Sequence, residues 1–294
     1  MVTVPRNAAI SDTEKNSVGL WKEAIEQRTG VKITPDREKA LSTLLDRRMK
    51  ELQCADINQY FEDSLDDAKG AQEWSGIIDS LLIKETSFFR HQPSMDFVTD
   101  WVAEKISGGQ LTEPLWVWSL GCSTGEEAYS LAMLIEQAMD AAGVVPRYGI
   151  IGTDISRDCI AQARRGVYRQ SKMTHVSGSL QESYFDQVGK GLWRVKDSVR
   201  RRVCFVNSNV LTDQSPMVRR KMHLIYCQNM LIYFRRWKRR EIVNQLIEHL
   251  ETDGRLILGL GELGNWIPPG LARVVPRTVQ AYVMSRYGQQ GDAG

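Results

Sequence analysis

The chain is poor in the residues that staple, ligate or anchor a protein. Its five cysteines (Cys54, Cys122, Cys159, Cys204 and Cys227) are odd in number, scattered and without a C-x-x-C pair, which excludes a disulfide framework and a thiolate zinc site. Four histidines, His91, His175, His223 and His249, form no ligand cluster either, so no metal is expected. No apolar run approaches the ~18 residues that span a bilayer, and positions 1–15 lack the apolar core of a signal peptide. The expectation is a cytoplasmic protein without membrane insertion. Excess charge is absent too: 38 basic residues against 36 acidic ones leave a net charge of +2, too balanced for a general nucleic-acid binder. What is present is an ordinary globular composition, 42% hydrophobic and 25% charged over 294 residues, with room for a small and a medium domain.

Up to about Trp101 the apolar spacing is helical. Val18, Leu20, Trp21, Ala24 and Ile25 form one stripe, which Thr29-Gly30 ends. Asp36 is placed to cap a second helix over 37–52, with an apolar stripe of Leu41, Leu44, Leu45 and Met49. The other face of that helix carries Arg37, Lys39, Arg47, Arg48 and Lys50. Shorter helices are expected over 57–65 and 71–82. Beyond a linker at 102–114, punctuated by Gly108-Gly109 and Pro114, strands at 115–120, 148–153, 203–207, 223–227 and 255–260 alternate with helices at 128–142, 157–166 and 237–250. Such alternation predicts a parallel sheet, and a hairpin over 271–276 and 279–285 closes its edge. Short runs around Gly189-Lys190-Gly191 predict a small antiparallel β insert at about 184–206. The expected fold is an all-α N-terminal domain (14–101) followed by an α/β domain (115–288) of the Rossmann-like, seven-stranded class I methyltransferase kind.

The first expected strand runs into Gly121-Cys122-Ser123-Thr124-Gly125-Glu126-Glu127, a small-residue turn opening a helix, where backbone N–H groups can meet a nucleotide. This turn lacks G-x-G-x-x-G, and its paired glutamates complement a helix dipole but repel a pyrophosphate. It is either a bare structural turn or a seat for a cofactor with hydroxyls and a cation; S-adenosylmethionine has both. Asp154, ending the second strand, is either a ribose ligand or an N-cap, a duty Ser156 could take instead. Phe88-Phe89-Arg90 is either packing beside a surface charge or a carboxylate clamp made by Arg90. Gln228, Asn229 and Tyr233 follow a central strand, where such folds place ligands, yet serve equally as turn formers and core.

Together these segments form a pattern. Thr86-Ser87-Phe88-Phe89-Arg90, Cys122-Ser123-Thr124-Gly125-Glu126-Glu127-Ala128-Tyr129-Ser130, Thr153-Asp154-Ile155, Ala163-Arg164-Arg165-Gly166-Val167-Tyr168 and Asn229-Met230-Leu231-Ile232-Tyr233-Phe234 resemble the CheR family over about residues 14–285. The resemblance implies an S-adenosylmethionine-dependent protein-glutamate O-methyltransferase, releasing S-adenosylhomocysteine, with the cytoplasmic methylation region of a chemoreceptor as partner and a monomeric enzyme. It places Thr86 and Arg90 at the methionine end of the cofactor and the acceptor carboxylate. Glu127 and Asp154 hold amino-acid or ribose groups, Asn209 and Val210 flank the adenine, and Gln228 and Asn229 line the same pocket. Arg90 and Tyr233 carry catalysis; Arg47, Arg48 and Lys50 become docking residues.

The sequence departs from the family pattern in places. Lys84 stands where Asn is usual and Gln228 where Arg is usual, and the H-S-E-N-F block is altered in Gly261-Glu262-Leu263-Gly264-Asn265-Trp266. The turn at 186–191 is shorter than in members that dock on a receptor's C-terminal pentapeptide, which implies an untethered enzyme, and the departures together imply the pilus-linked branch. Two other classes compete. A non-catalytic cofactor-binding adaptor is opposed by the retained Arg90 and Tyr233, and a nicotinamide oxidoreductase by the missing G-x-G-x-x-G at the first turn. A glutamate with a pKa of about 4.3 is ionised at neutral pH and needs no general base, which suits a chain without a His–carboxylate pair.

Overall fold

The computed structural model describes residues 12–65, 67–82, 84–212, 220–274 and 278–285. Positions 1–11, Val275 and Pro276 of the expected hairpin and the 286–288 end of the expected second domain lie outside the described residues. The chain divides into two compact units at Ile83 and Lys84.

The first unit is helical: α1 (Asp12–Thr29), α2 (Pro35–Leu52), α3 (Ile57–Asp63) and α4 (Asp67–Leu81). Its core is aromatic. Trp21 packs against Tyr60 and Trp74 with ring centroids 4.9 Å apart and meets Phe61 edge-on, an arrangement the ring quadrupoles favour. Leu41, Leu44 and Leu45 are buried as the stripe requires, whereas Leu20 is exposed. The second helix starts earlier than expected. Thr34 occupies the cap position and Pro35 the first turn, because proline's fixed φ suits a helix start and its missing N–H costs nothing there.

The second unit opens with α5 (Gln92–Ser107). Residues 102–107, expected as linker, are helical, since Met95, Val98, Trp101 and Val102 bury their side chains in the core of the sheet unit. The strands β1 (Leu115–Leu120), β2 (Tyr148–Asp154), β3 (Val167–Arg169), β4 (Phe185–Gly189), β5 (Leu192–Val195), β6 (Val203–Asn207), β7 (Met222–Cys227), β8 (Leu250–Leu258), β9 (Leu271–Arg273) and β10 (Gln280–Met284) form two sheets. The larger has the order β6-β2-β1-β7-β8-β10-β9. Its pairings are parallel except those of β10, antiparallel to both β8 and β9. The helices α6 (Glu126–Ala141), α7 (Arg157–Arg165), α8 (Gly178–Tyr184), α9 (Asp197–Arg200) and α10 (Arg236–Glu248) complete the unit. Strands β1, β2 and β7 are buried nearly throughout, as central parallel strands covered on both faces are.

The insert differs from expectation in membership. Its antiparallel sheet has the order β3-β5-β4, so it recruits Val167–Arg169 from beyond the expected 184–206. Residues 203–207, which suited either sheet, pair in parallel with β2. Tyr168 explains the recruitment: its ring is fully buried against Phe88 and Tyr129, and its hydroxyl donates to the Thr124 carbonyl at 2.7 Å.

Candidate functional site

The site lies beyond the carboxyl ends of β6, β2, β1 and β7, where open parallel sheets bind ligands. At the turn after β1, Gly121, Ser123 and Gly125 have φ of 73°, 49° and 94°. The Gly121 and Cys122 N–H groups both donate to Thr153 O, tying the turn to the end of β2. A Cβ on Gly125 would sit 2.8 Å from Ala163 Cβ and 3.0 Å from Phe205 Cζ, so only glycine fits.

The paired glutamates separate. Glu126 turns inward and is fully buried; Thr124 Oγ1 donates to its Oε2 at 2.6 Å, and Lys172 Nζ lies 3.5 Å from its Oε1. Glu127 turns the other way and is half-buried, accepting from Ser119 Oγ at 2.7 Å. Burial pushes the Glu127 carboxyl up to about 8; the facing Glu262 adds to the rise, while Ser119 and Arg90 offset part of it. Glu262, also raised by burial, accepts from the Gly259 N–H at 2.8 Å and the Ile232 N–H at 3.3 Å. It thereby joins the loop after β8 to the loop after β7. The literal G-x-G-x-x-G of the chain, Gly259-Leu260-Gly261-Glu262-Leu263-Gly264, lies here; it follows a later strand and opens no helix.

Asp154 braces the turn with both oxygens, accepting from Ser123 N at 2.8 Å and Ser156 N at 2.9 Å. Capping of α7 falls to Ser156, whose hydroxyl takes the Cys159 N–H. Asn207 and Ser208 bind the Asp154 carbonyl, which brings Asn209 and Val210, both half-buried, to the same end of the sheet. Asn209 uses its Oδ1 on the Leu211 N–H in a local turn.

The loop before α5 is fastened onto this turn. Phe88 and Phe89 are buried, and Phe88 meets Tyr168 and Phe185 edge-on. Phe89, at φ 51°, donates its N–H to Ser130 Oγ at 3.0 Å. Lys172 Nζ donates to Thr86 O at 2.6 Å, and Ser123 Oγ to Lys84 O at 3.4 Å. Arg90 is exposed, its guanidinium donating to Glu85 O at 3.0 Å. The aromatic pair is core and the arginine is an exposed charge beside it, the arrangement of the packing alternative. Sequence reasoning missed Ser119, Ser130 and Lys172; each acts across a distance in the chain that no local pattern reveals.

After β7 the expected pair divides. Gln228 is buried and its amide donates to Ser94 Oγ at 2.7 Å, beside His91 Nδ1; its side chain is spent on α5. Asn229 is exposed with φ 58°, and Tyr233 ends a 3₁₀ turn, half-buried. In the first unit Arg48 is bound to Glu73 through Nε and Nη2, at 2.8 and 2.6 Å, and also to Glu51. Lys50 is exposed, and the Arg47 side chain is 64% accessible. Burial holds the Cys122 thiol well above its ordinary range and raises that of Cys159, leaving neither suited to nucleophilic work. No cluster of metal ligands and no membrane-spanning helix occurs among the described residues.

The family described as "CheR methyltransferase, SAM binding domain" matches residues 84–266, and "CheR methyltransferase, all-alpha domain" matches 18–82. The chemotaxis protein methyltransferase of Escherichia coli K12 is 29% identical over 266 residues, 89% of this chain and 88% of that protein. That of Borreliella burgdorferi is 27% identical over 252 residues, covering 84% and 88%. Among solved structures, magnesium protoporphyrin IX methyltransferase from Synechocystis PCC 6803 with bound SAM is 19% identical, with a TM-score of 0.36 over 66% of this chain and 80% of that one, too slight a likeness to carry an argument. A carboxyl group at Glu127, a braced Asp154 and a glycine turn suit a cofactor bearing a cation and hydroxyls. With the SAM-binding model matching more than half of its length, the chain belongs to the CheR methyltransferase family, and S-adenosylmethionine is its cofactor.

Proposed function

We propose that this methyltransferase esterifies glutamate side chains in the cytoplasmic methylation region of a chemoreceptor, working in the cytoplasm as a monomer. The observation that carries the reading is the presentation of Arg90: a loop fastened by its backbone to Ser123, Ser130 and Lys172 holds one exposed guanidinium at the end of the sheet where the turn after β1 lies. The cofactor, when bound, supplies a methyl group on a cationic sulfur. The acceptor carboxylate is already ionised at neutral pH, so the chain's task is positioning and charge management. Arg90 orients the carboxylate through two N–H groups, and the Tyr233 hydroxyl orients substrate or cofactor. A C–O bond forms as the C–S bond breaks, and the opposite charges of the reactants vanish together. Thr86, Glu127, Asp154, Asn209, Val210 and Asn229 hold the cofactor, and Gln228 supports them through α5.

The basic face of α2 docks the receptor through Arg47 and Lys50, with Arg48 held by Glu73 as their support. Lys190 and Gly191 alone link β4 to β5, a tight link that supports an untethered mode, and the Lys84 and Gln228 departures support a pilus-linked receptor. Incubation with methyl-labelled cofactor and receptor should yield base-labile label on glutamate, undiminished when the receptor's C-terminal segment is removed. Arg90→Ala should abolish the label while S-adenosylhomocysteine still binds; near-normal labelling by that variant defeats the assignment.

A further inference from the structure

The start of α10 and the loops beside it form a charged, apolar surface that the cofactor site does not use. Residues 235–240 read Arg-Arg-Trp-Lys-Arg-Arg, five cations in six positions. The first turn of α10 has no acidic residue, and its cap position no side-chain hydrogen bond. Cations at the positive end of a helix dipole cost stability. Arg239 is committed internally, donating to Phe234 O, Ile232 O and Glu262 O, and Lys238 pairs with Glu241. Arg235, Arg236 and Arg240 are exposed, Arg240 lying over the Trp266 ring at 5.2 Å. Among them stand Ile232, Trp237, Leu260 and Ile267, 47%, 61%, 54% and 55% exposed. The Arg239 bonds, with Glu262 joining Gly259 to Ile232, make one continuous surface of these loops. Ile232 adjoins Tyr233, so the surface begins at the rim of the site.

We infer that this surface, centred on Arg236, Trp237 and Arg240, docks an acidic segment of the substrate protein next to the glutamate being methylated. The inference rests on the proposed function in one respect: that reading makes the substrate rich in carboxylates, which complement these cations. Exposed indole and aliphatic groups among guanidinium groups suit a protein partner, where aromatic and arginine side chains supply most of the binding, while rim charge steers encounter.

The test uses the full chain with Arg236→Glu/Arg240→Glu and, separately, Trp237→Ser. Two measurements are made with a fragment of the receptor methylation region: its binding by calorimetry, and the steady-state rate of its methylation across a salt series. The charge reversal should weaken binding and raise KM by about tenfold and flatten the salt dependence, with kcat and S-adenosylhomocysteine affinity unchanged. Trp237→Ser should raise KM without altering the salt slope. Replacing carboxylates that flank the methylated glutamate by lysine should restore binding to the reversed variant. Unchanged binding, KM and salt slope in both variants overturn the inference. So does loss of sedimentation with phosphatidylglycerol vesicles while receptor binding stays intact, which assigns the surface to a membrane. If wild-type protein binds the fragment through these residues yet transfers no methyl, the docking surface stands and the proposed reaction falls.

Discussion

Lys172 gives the sharpest prediction, because two different jobs meet in one ammonium group. It sits in the 3₁₀ turn that follows β3, donates to Thr86 O at 2.6 Å and lies 3.5 Å from the fully buried Glu126. Lys172→Met keeps most of the aliphatic stem and removes the charge. A charge-assisted hydrogen bond is worth about 1.5–3 kcal/mol, and removing one partner of a buried pair costs about 3–5 kcal/mol. The Lys172 side chain is 34% accessible, so solvent screens part of both, and the terms share one group and do not add. The expected loss is about 2–3 kcal/mol, a fall in Tm of about 5–10 °C for a domain of this size. Adding Glu126→Gln removes the stranded charge and should recover most of that stability in urea titrations. It should not recover activity, because Thr86 remains unfastened and the loop carrying Arg90 loses position; kcat should stay about tenfold or more below the parent. A single variant within about 0.5 kcal/mol of the parent, or a double variant that regains kcat, would refute the two-job account.

Three further outcomes follow from the same site. Glu127 binds its proton more tightly folded than unfolded, since its pKa is raised to about 8; its contribution to stability is therefore full below its ordinary value near 4.5 and is lost as pH rises towards 8. Affinity for the cationic cofactor should accordingly increase with pH between about 6 and 8, with proton release visible by calorimetry in buffers of different ionisation enthalpy, and Glu127→Gln should abolish that slope. Asp154→Ala removes the acceptor for Ser123 N and Ser156 N and the carboxylate proposed to hold the cofactor, and should weaken S-adenosylhomocysteine binding by about tenfold or more, since a hydrogen bond to a charged group contributes about 1.5–3 kcal/mol; unchanged affinity by titration removes Asp154 from the site. Gly125→Ala combines a φ of 94° with a Cβ 2.8 Å from Ala163, and should cost about 2–4 kcal/mol in chemical denaturation.

The sheet was legible because its central strands are short apolar runs between turn signals, and each expected parallel strand is found, β8 starting earlier than expected. Helix α5 was obscured by the Gly108-Gly109 pair, which marks its end rather than the middle of a linker. β3 is three residues long, below the length at which alternation means anything, and exists because Tyr168 has a cavity to fill. In the site, Arg90, Glu127 and Asp154 stand in local patterns that a reader of sequence can weigh. The partition of Glu126 from Glu127 cannot be read so: adjacent helical positions point about 100° apart, and which one faces the core depends on Lys172, far along the chain. The pairing of Arg48 is hidden for a similar reason: its place on a charged face shows no partner, whereas Glu73 on α4 engages it from across the unit.

The fastening of the loop before α5 also bears on how such a site can change. All three anchors grip main-chain atoms: Lys84 O, Thr86 O and Phe89 N. Beyond the two phenylalanines, which fill the core, the shape of this segment is thus indifferent to which side chains it carries. Lys84 shows this directly, since its carbonyl serves the turn while its amine reaches Asp158 at 3.8 Å. A socket of this design lets mutation exchange the groups shown to an incoming protein without rebuilding the cofactor turn beneath, so acceptor preference and cofactor binding can evolve on separate residues.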